Sequence, residues 1–216
     1  MKTDQQLEKD VRDELRWEPS VTSAEVGVTV SQGVVTLNGT VPTYAEKSAA
    51  EKAAQRVAGV KAVADEIRVE PHADHRRSDQ QIAQDAVRAV QSHVWVPTGI
   101  QVTVDNGWVT LRGKVTWEYQ RKAAYDAVRF LPGVVGVSNE ITIKATVRPS
   151  GVKEAIETAL KRDAEIDAEG ITVRADDGKV TLSGTVPSWA ERDEAGSAAW
   201  RAPGVTDVQN ELVVSY

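Results

Sequence analysis

One sequence pattern occurs three times along this chain, and that repetition constrains the fold more than any other feature. The motif G-x-V-T-L-x-G-x-V begins at Gly33, Gly107 and Gly178, which lie 74 and 71 residues apart. A second motif, G-V-x-x-V-x-[ND]-E-[IL], begins at Gly59, Gly133 and Gly204 with the same two spacings. Repeats at a fixed period indicate tandem copies of one small structural unit. The sequence therefore predicts three domains over residues 1–71, 78–147 and 148–216.

Each unit is predicted to fold as helix-strand-strand-helix-strand. The first helix is indicated by apolar residues at every fourth position, such as Leu7, Val11 and Leu15. Alternating apolar residues then predict a strand with one buried face. Asn106-Gly107 and Asp177-Gly178 are typical of two-residue hairpin turns, which join this strand to the next. The predicted class is α+β, with three tandem αββαβ domains that each pack two helices on one face of a three-stranded mixed sheet.

The glycines of the repeated motifs are predicted to have structural roles. The glycine within the second strand shares a face with the apolar strand residues, so we expect it to let the alanine-rich second helix approach closely. The other glycines fit the hairpin turn and the end of the second helix. The nine positions are Gly33, Gly39, Gly59, Gly107, Gly113, Gly133, Gly178, Gly184 and Gly204.

Composition excludes several functional classes. The chain has no cysteine, which removes disulfide scaffolds, thiolate nucleophiles and sulfur-ligated metal sites. A net charge of −6 argues against nucleic-acid binding, since such binding depends on neutralising phosphates. No catalytic triad, phosphate-binding loop or H-E-x-x-H motif occurs, so no enzyme and no cofactor are predicted. The first fifteen residues are strongly polar and no apolar run could span a bilayer, which favours a cytoplasmic protein. A periplasmic location is the alternative if a leader peptide has been removed.

The repeated motifs resemble those of the BON domain family, and the three copies cover nearly the whole chain. The resemblance implies the αββαβ fold and a non-enzymatic binding module. It also implies an association with osmotic stress or the cell envelope, where binding to phospholipid surfaces is the role commonly proposed. Because one cytoplasmic relative binds potassium, the resemblance also leaves a monovalent cation open as a ligand.

Two polar clusters are candidate ion sites. His72, Asp74 and His75 could bind a metal, but a flexible linker preorganises no ligands, so no metal site is predicted. The pairs Asp65-Glu66, Asn139-Glu140 and Asn210-Glu211 recur at one place in every unit. They could bind a cation or satisfy backbone groups at the start of the third strand. Their presence in all units favours the second interpretation.

The middle unit is the best candidate for a binding surface. It holds seven basic and six acidic residues, whereas the outer units carry the negative charge. Trp108, Arg112 and Lys114 share the predicted open face of its second strand, and Lys144 is expected nearby on the third strand. These four residues are predicted to form an amphipathic basic patch, with packing of Trp108 against a neighbouring unit as the alternative. Trp17, Trp95, Trp189 and Trp200 are expected to pack at the edges of the cores.

Three functional hypotheses follow. In the first, the middle unit docks on an anionic phospholipid surface or on an envelope or stress protein. In the second, the units form a sensor for a small ligand or a potassium-type cation. In the third, they form a rigid scaffold for protein partners.

Overall fold

The computed structural model describes residues 2–73, 76–144, 151–164 and 166–215. Its helices are α1 (Asp4–Trp17), α2 (Tyr44–Arg56), α3 (Asp79–Ser92), α4 (Glu118–Val128), α5 (Val152–Arg162) and α6 (Trp189–Trp200). Its strands are β1 (Val26–Ser31), β2 (Val34–Val41), β3 (Ala62–Val69), β4 (Gln101–Asp105), β5 (Trp108–Val115), β6 (Gly136–Ile143), β7 (Ile171–Asp176), β8 (Lys179–Val186) and β9 (Asp207–Val214).

The strands form three separate three-stranded sheets, one for each predicted unit. Their orders are β1-β2-β3, β4-β5-β6 and β7-β8-β9, so the second strand of each unit is central. In the first and third sheets the first two strands are antiparallel, and the last two are parallel. Strand β4 is likewise antiparallel to β5. The predicted α+β class, with two helices and a mixed sheet in each unit, is confirmed.

The chain divides into two compact units whose limits differ from those of the repeats. The first consists of residues 1–113 and 122–141, and the second of residues 114–121 and 142–216. The domain boundaries 1–71, 78–147 and 148–216 therefore stay a prediction.

The cores are aliphatic, as the sequence pattern predicts. In the first repeat, Leu7, Val11 and Leu15 of α1 pack in one cluster with Val35 and Leu37 of β2. Helix α2 contributes its small residues to the same cluster: Ala50, Ala53 and Ala54. The third repeat has an equivalent cluster built from α5, β8 and α6. One alanine-rich helix and one aliphatic helix thus cover the same sheet face.

The hairpin turns have the predicted backbone conformation, with positive φ at both central residues. Asn106 and Gly107 have φ values of 49° and 78°. The sequence did not reveal that α3 also contacts this turn: the amides of Asn106 and Gly107 donate to the Asp79 carboxylate at 2.8 and 2.9 Å. Asp4 binds the corresponding turn of the first repeat in the same way.

The predicted role of the glycine in the second strand is wrong. Gly39 has a φ of 124°, and a Cβ atom there would overlap with the carbonyl oxygen of Glu25, not with α2. Glu25 ends the short 3-10 turn that leads into β1, and the first residue of β1 pairs with Gly39. Gly184 has the same relation to Gly170. Glycine is needed at this position because the backbone that leads into the first strand passes so close that a Cβ atom would have no room.

Candidate functional site

Trp108 lies on the open face of the middle sheet and is fixed by its own sheet. Its ring passes over Gly136 of β6, where a Cβ atom would overlap with the ring. Its indole nitrogen donates to the Ser138 hydroxyl at 2.9 Å. The side chain is still 49% exposed. A tryptophan held in one orientation with half its surface exposed is suited to contact an external apolar group.

Arg112, two residues along β5, is partly neutralised by an acidic neighbour. Its Nε atom lies 2.7 Å from Oε2 of Glu140 on β6, and both side chains are about half exposed. An ion pair exposed to this extent contributes about 0–1 kcal/mol to stability. Because such a pair is weak, an incoming anion can compete with Glu140 for the guanidinium group.

Lys114 and Lys144 belong to the second compact unit, and both are exposed. The backbone amide of Lys144 donates to the carbonyl of Val115 at 2.8 Å, so Lys144 is held beside the last residue of β5. Among the described residues, neither lysine forms an ion pair. Arg112, the third predicted cation of the patch, is paired with Glu140, whereas no described carboxylate is paired with either lysine.

The predicted packing of Trp17 and Trp95 at core edges is wrong. Trp17 is 83% exposed, because α1 buries Leu15 and a residue two positions later points to another side of the helix. Trp95 is 61% exposed and its neighbour Val94 is 88% exposed, both in the loop between α3 and β4. Trp200, by contrast, packs against the core of the third repeat.

The exposure of the Val94–Trp95 loop coincides with one residue difference between the repeats. In the first repeat the buried Glu46 of α2 accepts a hydrogen bond from the Thr22 amide at 2.5 Å, which fixes the loop before β1. Glu191 of α6 accepts a hydrogen bond from the Asp167 amide in the same way. The middle repeat has Gln120 at this position, and its side chain accepts hydrogen bonds from the nearby Thr116 and Trp117 amides. Sequence reasoning missed this difference, although the Glu, Gln, Glu series was visible in the aligned repeats.

In the recurring Asp/Asn-Glu pairs, the Asp or Asn side chain satisfies backbone groups, as the structural interpretation expects. Asp65 accepts a hydrogen bond from the Ile67 amide at 3.0 Å and forms an ion pair with Lys47 of α2 at 3.2 Å. The Asn210 side chain accepts a hydrogen bond from the Leu212 amide and donates one to the carbonyl of Arg192 on α6. Glu66, Glu140 and Glu211 are exposed. A lysine thus already occupies the place next to Asp65 that a bound cation would take.

A metal site receives no support from the described part of the chain. No group of three or more His, Asp or Glu side chains suited to a metal ion occurs in that part. The linker candidate is only partly covered, since Asp74 and His75 lie outside the described residues. Nor is any helix of the described ranges long and apolar enough to cross a bilayer.

The BON domain profile matches residues 3–71, 78–145 and 150–216. The chain belongs to the BON domain family. This BON protein is 32% identical over 123 residues to osmotically-inducible protein Y of Escherichia coli (strain K12), a match that covers 53% of this chain and 61% of the relative. It is 41% identical over 61 residues to outer membrane lipoprotein DolP of Haemophilus influenzae (strain ATCC 51907 / DSM 11121 / KW20 / Rd), covering 28% of this chain and 32% of that protein. The matches thus span less than two thirds of either relative.

A solved structure with 17% identity is the C-terminal domain of CdsD, a type III secretion protein of Chlamydia trachomatis. It covers 96% of both chains with a TM-score of 0.28, which is too low to support a functional argument.

The predicted cytoplasmic location is contradicted by these relatives. One of them is an outer membrane lipoprotein, which points to the cell envelope. The prediction rested on the polar residues at the start of the sequence, and those residues carry no information about compartment.

Proposed function

We propose that this BON protein is a non-enzymatic, envelope-associated binding protein of the osmotic-stress type, whose middle repeat docks on anionic phospholipid surfaces. The association with the envelope and with osmotic stress is supported by the family and by two relatives, an osmotically inducible protein and an outer membrane lipoprotein. The choice of the middle repeat rests on its charge and its aromatic residues.

The observation that carries the proposal is the fixed, half-exposed Trp108 on the open sheet face. Tryptophan is favoured at the boundary between lipid headgroups and acyl chains, because its ring is apolar and its N–H group is polar. Its N–H group already donates to Ser138, so the exposed part of the ring can enter an apolar layer without losing a hydrogen bond.

The basic residues near the ends of β5 and β6 supply the attraction for anionic lipid. Lys114 lies on the same strand as Trp108, and Lys144 follows the last residue of β6. Each cation near an anionic surface contributes about 1 kcal/mol, so the interaction is weak and depends on salt. Arg112 adds to it when phosphate oxygens displace Glu140.

The Val94–Trp95 loop is a second apolar element of the same repeat. A solvent-exposed pair of large apolar side chains at a loop tip is unusual for a soluble surface and indicates a contact site. It is a second candidate contact of the middle repeat with an apolar layer, separate from the Trp108 face.

Co-sedimentation of the whole chain with phospholipid vesicles tests the proposal. We expect binding to phosphatidylglycerol-containing vesicles and none to pure phosphatidylcholine vesicles. Replacing Lys114 and Lys144 with Gln should weaken binding by about fivefold for each residue, which corresponds to about 1 kcal/mol per cation. Trp108→Ala should weaken binding to anionic vesicles further.

The matched control is Lys179→Gln in the third repeat, since Lys179 occupies the position of Trp108 there and is also exposed. This variant loses the same charge but should bind as the wild type does. Equal binding by all variants, or equal binding to neutral and anionic vesicles, would contradict the proposal.

A protein scaffold is the second candidate, supported by two contacts between helices of successive repeats. The Tyr44 hydroxyl on α2 lies 3.0 Å from the Tyr125 hydroxyl on α4. The Arg121 guanidinium of α4 stacks 4.7 Å from the Trp200 ring of α6. Cation sensing has weaker support, because Lys47 is paired with Asp65 at the position a cation would need.

A further inference from the structure

The first strand of each repeat lies at an edge of its sheet, and the residue of the first helix nearest this edge differs among the three repeats. Edge strands expose backbone N–H and C=O groups that can pair with another strand, and proteins usually block them. In the first repeat, Arg12 of α1 reaches the edge and donates from Nη2 to the carbonyl of Val28 at 3.1 Å. This guanidinium covers a backbone acceptor of β1.

The corresponding position in the middle repeat cannot provide such a bond. Aligning the apolar stripes of α1 and α3 places Val87 where α1 has Arg12. Val87 is exposed and lines a shallow surface recess of about 560 Å³ together with Ala83, Gln84 and Arg88. The third repeat has Glu157 at this position, a charged residue paired with Lys153. Only the middle repeat has an apolar side chain there.

The edge of β4 presents the same backbone groups that Arg12 covers in β1. Val102 of β4 pairs with Leu111, at the position where Val28 of β1 pairs with Leu37. The carbonyl of Val102 therefore points away from β5, as the carbonyl of Val28 points away from β2. Residues in an antiparallel pair alternate between the two sides, so Val104 points its backbone groups outward as well. Within the described part of the chain, no side chain donates a hydrogen bond to Val102 or Val104.

We infer that the β4 edge is a homodimer interface, at which β4 of a second copy pairs antiparallel to form one six-stranded sheet. A second strand offers donors and acceptors at the spacing of Val102 and Val104. The sequence of β4, Gln-Val-Thr-Val-Asp, suits a two-fold axis at Thr103. Thr103 then faces its own copy, Val102 faces Val104, and Gln101 faces Asp105, so no like charges are opposed. Val87 of each copy flanks the new strand pair.

Sedimentation velocity of the whole chain over a wide concentration range tests the interface. We expect wild type to shift from monomer to dimer as concentration rises. Val87→Arg places a guanidinium where Arg12 lies in the first repeat, and it should abolish the dimer. The matched control is Ser92→Arg, which adds the same charge about 140° away around the same helix and should leave the dimer intact.

Amide hydrogen exchange locates the contact. The amides of Val102 and Val104 should exchange more slowly at high concentration in wild type, and at a constant rate in Val87→Arg. A wild type that stays monomeric, or a Val87→Arg variant that dimerises as wild type does, would overturn the inference. Vesicle binding by the monomeric variant separates this result from the lipid proposal, because Val87 is not part of the Trp108 face.

Discussion

At the scale of single residues, the repeated strand glycine shows how backbone geometry can dominate a sequence pattern. Gly39 and Gly184 have φ values of 124° and 127°, a region that other residues rarely adopt. At both positions a preceding carbonyl oxygen occupies the space of a Cβ atom. The alternation of apolar residues placed these glycines on the core side, but burial is not what requires them.

Gly39→Ala should therefore be strongly destabilising, whereas Gly99→Ala should not. Gly99 also has a positive φ, 95°, but nothing lies within 4 Å of its Cβ position. We expect the strained backbone alone to cost about 1–2 kcal/mol at Gly99, and the added overlap with Glu25 to raise the loss at Gly39 above about 3 kcal/mol. Urea unfolding followed by circular dichroism measures both. Equal shifts of the two unfolding midpoints would show that the carbonyl contact is unimportant.

At the scale of elements, the second helix of the first and third repeats holds the loop that precedes the first strand. A buried glutamate does this in α2 and α6, while Gln120 of α4 binds the start of its own helix. The loop of the middle repeat exposes Val94 and Trp95. Helix periodicity predicted the helices themselves, but it could not predict this loop, because the decisive hydrogen bond joins residues 24 positions apart.

Glu46→Ala should release the loop before β1. A hydrogen bond to a carboxylate contributes about 1.5–3 kcal/mol, so the Thr22 amide should exchange at least about tenfold faster in this variant. Hydrogen exchange read by mass spectrometry over residues 18–25 measures the change. Gln120→Ala is the matched control, and exchange over residues 93–100 should stay as in wild type. A Thr22 amide that remains protected would mean that other contacts hold the loop.

At the scale of the whole molecule, the sequence predicted the repeats well and the contacts between them not at all. The three αββαβ units follow from glycine spacing and apolar alternation, which are local properties. The Tyr44–Tyr125 hydrogen bond joins the first residue of α2 to a residue two turns into α4. Because these are not equivalent positions of the repeat, no internal comparison could pair them. The predicted patch is limited in the same way, since the ion pair between Arg112 and Glu140 depends on strand pairing.

The Tyr44–Tyr125 contact should make stability depend on pH in the alkaline range. Burial raises the pKa of the Tyr44 hydroxyl well above its usual value, and the hydrogen bond with Tyr125 adds to the effect. An acid with a raised folded-state pKa stabilises the fold fully below the unfolded pKa of about 10, and this contribution is lost as pH rises further. The unfolding midpoint of wild type should therefore fall more steeply above this pH than that of Tyr44→Phe. Tyr119→Phe, which alters an exposed tyrosine, should behave as wild type.

Ultraviolet titration of tyrosinate should show that Tyr44→Phe removes the step at the highest pH. If it removes a step in the ordinary range instead, the two hydroxyls do not form a partly buried hydrogen bond in solution.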